Sequence, residues 1–214
     1  MLRVLVVNFG ICFNTYFFPL KTSELADGLE KRGYEISPRI PFPRPPVAVS
    51  GAGTIARKGK TVIHVDSRGQ VLTVADVSIK SALDTYKEIT AMLKEEYQID
   101  LENLIGTYEF NVQCEAPTEK QAYETLAKNV EIPILNQIEQ ILKKKVCAIE
   151  LRFGGANMIV NSPNWFDISI EPNFTRNDSY LINASYRTEK KEESIVFLES
   201  FEENLNRIME VIDK

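Results

Sequence analysis

The strongest hydrophobic period in the chain runs through Ile79, Leu83, Tyr86, Ile89, Leu93 and Tyr97, at spacings of three and four. That spacing lays an apolar stripe along an amphipathic helix of about five turns. Leu198, Phe201, Leu205, Ile208 and Ile212 repeat it and predict a closing helix. A period of two appears elsewhere. Over Leu104–Cys114, Tyr108, Phe110 and Val112 alternate with Glu109, Asn111 and Gln113, the mark of a half-buried strand. Thr61–Asp66 and Val71–Val77 read as strands joined by the hairpin loop Ser67-Arg-Gly-Gln70. Val146–Phe153, Trp165–Glu171 and Tyr180–Arg187 predict three more strands. Leu2–Phe9 predicts a buried strand followed by an aromatic-rich loop.

Local signals fix the punctuation. Thr22 or Ser23 caps a short helix with Leu25 and Leu29 on its apolar side, and Gly33 stands at its C′ position. Four prolines in Pro41–Pro46 forbid helix and central strand and predict an extended connector. Val47–Arg57 is strand-like, with Gly51 and Gly53 suggesting a bulge. Thr118 and Gln121 form a capping-box pattern after Pro117, opening a helix toward Lys145 that kinks or breaks at Pro133. Lys143, Lys144 and Lys145 suit the C-terminal dipole of that helix.

Each half therefore reads strand, helix, about three strands, helix. We expect an α+β fold: a two-layer antiparallel sheet with helices packed on one face, in a single domain over 1–214. Halves 1–98 and 100–214 would be pseudo-repeats of one unit. In its order of elements the chain resembles the TATA-binding-protein-like fold, which duplicates such a unit into a saddle. The segment Phe42-Pro-Arg-Pro-Pro46-Val, the hairpin Val62–Val77 entering a long helix, and the closing strand and helix from Tyr180 also look like a sporadically distributed family of uncharacterised prokaryotic proteins. That resemblance implies no known activity and supplies no functional residue.

Charge narrows the partners. The chain has 25 Lys and Arg against 30 Asp and Glu, a net charge of −5. No whole-chain attraction to nucleic acid or anionic membrane follows. The polar strand positions carry Glu109, Asn111, Gln113, Glu150, Arg152, Asp167, Glu171 and Arg187, a surface unlike the basic saddle that bends DNA. Arg57, Lys58 and Lys60 form the densest basic turn and are the candidate phosphate contacts. Hydrophobic and charged fractions of 44% and 26% are those of a globular protein and exclude disorder of the whole chain. Asn8, Asn14 and Thr15 break the apolar N-terminus, so it predicts neither a membrane span nor a signal peptide.

The chemistry-bearing residues are few. One His and three widely spaced Cys (Cys12, Cys114, Cys147) predict free thiols, a cytoplasmic protein, no metal and no cofactor. His64 and Asp66 share a strand face and would be the acid/base pair of a small-molecule enzyme. Glu150, Asp167 and Glu171 are the one carboxylate group that could gather on neighbouring strands, but Arg152 and Arg187 suggest a salt-bridged ladder there. Ser50-Gly-Ala-Gly-Thr54 lacks the Lys and helix of a phosphate loop. No catalytic motif is present, so the expectation is a non-catalytic binding or assembly protein. It would join a protein partner or its own copy through an exposed sheet face or the aromatic cluster Phe9, Phe13, Tyr16, Phe17 and Phe18. The alternatives are nucleic-acid binding at the basic turns and an enzyme around His64.

Overall fold

The computed structural model describes residues 2–37, 52–130, 134–156 and 162–213. The Pro41–Pro46 connector, the Pro133 break and the start of the Ser50–Thr54 run lie outside the described residues. The elements follow the chain as β1 (Arg3–Phe13), α1 (Thr22–Glu30), β2 (Glu35–Ile36), β3 (Ala52–Lys58), β4 (Thr61–Asp66), β5 (Val71–Asp76) and α2 (Ile79–Tyr97). After a 3₁₀ turn come β6 (Ile105–Pro117), α3 (Ala122–Asn129), α4 (Leu135–Leu142), β7 (Leu151–Gly154), β8 (Trp165–Pro172), β9 (Ser179–Thr188) and α5 (Lys191–Ile212).

Among the described residues the strands form one antiparallel sheet in the order β2-β3-β4-β5-β1-β6-β9-β8-β7. The central pair is β1 and β6. Outward from it run β5, β4, β3 on one side and β9, β8, β7 on the other, in reverse chain order both times. Element order matches on the two sides, apart from β2 and the presence of both α3 and α4 in the second half.

Register explains the core. Directly paired positions share a face, so Ile63, Val74, Phe9, Phe110, Tyr186 and Phe166 form one apolar row across six strands. Helices α2 and α5 cover that row. Tyr86 of α2 meets Phe9 edge-on at 4.9 Å between ring centroids. Phe197 of α5 stacks on Tyr186 at 4.2 Å and lies 5.0 Å from Phe110. Helices α1 and α3 flank them on the same side: α1 packs on α2 and β3, α3 on α5 and β8. Gly28 gives α1 its close approach, since a Cβ there would sit 2.5 Å from the Met92 sulfur. The result is the expected α+β arrangement, with these four helices on one face and the polar strand positions on the other.

Termini of elements depart from the sequence pattern in five places. Strand β1 continues to Phe13, because Ile11 and Phe13 keep the inward parity of Val7 and Phe9. Helix α1 starts at Thr22 behind Lys21 and has no side-chain cap, although Gly33 does take the left-handed conformation (φ +79°) after it. The Thr118/Gln121 capping box does not form. Strand β6 runs on to Pro117, the Thr118 hydroxyl accepts from the Lys120 amide, and the helix opens only at Ala122. The helix expected to break at Pro133 and run to Lys145 is two short helices, one on each side of Pro133, and the second stops at Leu142. Of Val146–Phe153 only Leu151 onward pairs as strand, so Glu150 precedes β7 rather than lying in the sheet.

Candidate functional site

The face turned away from α1, α2, α3 and α5, called the helix-free face for that reason, is built by the odd-numbered positions of β6 and their register partners. Paired positions place Thr54, His64, Thr73, Gly10, Glu109, Arg187 and Trp165 in one row across seven strands. The neighbouring row is Arg57, Val62, Ala75, Asn8, Asn111, Ser185 and Asp167. At the middle of the first row Gly10 leaves a shallow floor: a Cβ there would meet only Thr73 Oγ1, at 3.5 Å, and other atoms farther off.

The side chains of this face bond to one another. Arg187 Nε donates to Glu109 Oε2 at 2.7 Å, and its guanidinium lies 5.7 Å from the Trp165 ring centre. Asn111 donates to Glu109 at 3.3 Å and accepts from the Ser185 hydroxyl at 2.5 Å. Gln113 donates to Asn183 at 2.9 Å. Arg152 grips Asp167 through two bonds, 2.9 and 2.6 Å, and this holds the Asp167 carboxyl below the usual carboxylate range. Of the expected ladder, Arg152 pairs with Asp167, while Arg187 pairs instead with Glu109. Glu171 is four residues along β8 from Asp167, about 13 Å. With Glu150 off the strand, the three carboxylates do not converge. Among the described residues no group of three His, Cys, Asp or Glu is placed to hold a metal ion.

At one end of the face a second cluster forms that the sequence did not signal. Glu115 is 4% exposed. It accepts from Ser179 Oγ at 3.0 Å and Asn173 Nδ2 at 3.3 Å, pairs with Arg176 Nη1 at 3.0 Å, and takes a further bond from Arg3. Burial pushes its carboxyl up, but the bonds from Ser179 and Arg3 and the nearby Arg176 outweigh it and hold it low. Its partners are 3, 173, 176 and 179, which no local spacing could have linked.

The other predicted residues separate. Asp66 Oδ1 accepts the amides of Arg68 and Gly69 at 2.9 and 3.0 Å, closing the β4–β5 turn. His64 Nδ1 lies 3.0 Å from Thr54 Oγ1, and burial, with Arg57 nearby, pushes its pKa below the usual value. The two side chains thus serve different neighbours. Arg57 pairs in register with Val62 on the helix-free face. Lys58 turns to the helix side, donating to the Arg32 carbonyl at 2.9 Å and lying 4.8 Å from the Tyr34 ring centre. Lys60 sits in the turn after β3. Arg57 and Lys58 therefore lie on opposite faces of the sheet.

The aromatic loop is the opposite case. Tyr16 and Phe17 are 89% and 77% exposed and meet edge-on at 4.6 Å. The loop beneath them is pinned. Phe13 N donates to Gln70 O at 2.8 Å, Asn14 N to Leu104 O at 2.9 Å, Thr15 Oγ1 to Phe17 O at 2.7 Å, and Gln70 Nε2 to Tyr16 O at 3.1 Å. Phe13 and Phe18 pack edge-on below, while Phe9 and Phe13 are core. A scan against protein-family models and a search of curated proteins return no match to the chain. Among the described residues no helix is long and apolar enough to cross a membrane.

Proposed function

We propose that this is a non-catalytic binding protein that receives a protein partner at the helix-free sheet face, with Tyr16 and Phe17 as the anchor. The observation that carries the reading is the pinned, outward aromatic pair. Exposed aromatics held rigid lose little entropy on contact, which is the character of interface hot spots. The polar sheet face supports the reading as well. Two of its arginines, Arg152 and Arg187, pair with Asp167 and Glu109, and the amides and hydroxyl of Asn111, Gln113 and Ser185 lie among them. Phosphate recognition would call for cations aimed outward instead.

The test is affinity purification of tagged protein from its own host, comparing wild type with Tyr16→Ser/Phe17→Ser. Equal thermal unfolding of the two should establish that the fold is intact. A stoichiometric protein present with wild type and lost with the variant is expected. A partner retained by both, or none with either, would end this reading. Nucleic acid carried by wild type and stripped by salt would favour the basic-turn alternative.

A further inference from the structure

On the helix side, at the edge of the sheet, α5 and β7 leave a groove of about 880 Å³. Its walls are Val130, Leu151, Phe153, Ile208 and Val211, with Arg207 at the rim. Close to it in the chain stands a helix with the complementary problem. Of the five α-helices among the described residues, α4 alone buries no residue. Ile134, Leu135, Ile138, Ile141 and Leu142 fall within an arc of about 120° at 100° per residue. Three of them, Ile134, Ile141 and Leu142, are exposed.

We propose that α4 of a second copy of this chain lies in this groove, and that the exchange is reciprocal, giving a two-fold dimer. Length agrees. The eight residues of α4 span about 12 Å, as does the stretch of α5 from Asn204 to Ile212 that lines the groove. Charge agrees as well. The exposed Lys143 and Lys144 directly follow α4, while the exposed Glu203 and Glu210 of α5 border the groove on its Arg207 side. Arg207 itself holds Glu203 only loosely, at 3.9 Å. The chain's own α4 is not the occupant: none of its residues lines the groove, although Val130, four residues before Ile134, does.

The experiment is sedimentation velocity over a concentration series, with circular dichroism to confirm each fold. Wild type should dimerise. Ile141→Glu/Leu142→Glu should weaken the dimer by about tenfold or more. Lys143→Glu/Lys144→Glu should weaken it too, and adding Glu203→Lys/Glu210→Lys to the same chain should restore it. Tyr16→Ser/Phe17→Ser should leave the dimer unchanged, which separates this interface from the sheet-face reading. Occupancy is read from disulfides in a background with Cys12→Ser and Cys147→Ser. Mixing chains carrying Ile141→Cys with chains carrying Val211→Cys should give a crosslinked pair. A chain that stays monomeric at every concentration, charge reversal without rescue, or a disulfide that closes within one doubly substituted chain would each overturn the proposal.

Discussion

Glu115 offers the sharpest test of how the helix-free face is held. Replacing it with Gln keeps an acceptor for Ser179 and removes the charge. Its two cationic partners, Arg3 and Arg176, have half or more of their side-chain surface in water, so they regain solvent and lose little. What disappears is the charge assistance to the Ser179 and Asn173 bonds in a nearly closed site. Charge-assisted bonds exceed neutral ones by about 1 kcal/mol, which sets the expected loss for Glu115→Gln at about 1–2 kcal/mol. Glu115→Ala also opens a cavity and removes the acceptor, for about 2–3 kcal/mol. The carboxyl is held low in the folded chain, so its contribution is complete above the unfolded glutamate pKa. It is lost as pH falls through the folded value. Urea unfolding at neutral pH should therefore separate wild type from Glu115→Gln, and the gap should close in acid. Equal stabilities at neutral pH, or a gap that ignores pH, would refute the argument.

Other predictions follow the same logic. Gly28→Val should destabilise by about 1–3 kcal/mol through its clash with Met92, and Met92→Ala should recover part of that loss in a double-mutant cycle read by urea midpoints. Burial pushes the Cys114 thiol up to about 12, so at neutral pH native protein should protect Cys114 from alkylation, with labelling appearing only on unfolding, as mass spectrometry of the peptides would show. His64 is held below its usual pKa, so the folded state resists its protonation. Wild type should lose stability relative to His64→Gln as pH drops below the unfolded histidine value, and parallel melts across that range check it.

The pattern of positions carried the large elements because their cause is local. A stripe at three-four spacing needs only a sheet to lie on, and α2 and α5 match their periods. Alternation likewise assigned Glu109, Asn111 and Gln113 to the open face before their partners were known. Element ends were harder, since competing bonds decide them. The backbone of Pro117 stays in β6 opposite Ser179, and Thr118 N donates to the Asp178 carbonyl, so the capping box lost to a contact some sixty residues away in sequence. The Glu115 cluster was illegible for the same reason. Asp66 shows the opposite limit: it closes the β4–β5 turn, and a turn-closing carboxylate and an acid/base one look alike in sequence. The groove beside α5 depends on how far β7 extends, and its four residues carry no periodic signal.

The position of β1 also constrains how the chain comes together during synthesis. It is made before both of its neighbours, β5 and β6, yet belongs at the centre of the sheet. Until Val71–Asp76 is made, its apolar Val-Leu-Val-Val segment has no backbone partner. Once β5 has joined, β1 still exposes one raw edge of the kind that recruits other chains. After α2 and one short turn, the next strand translated is β6, the strand that closes this edge. The delay is about as short as this topology permits, and the second half of the protein begins by protecting the first.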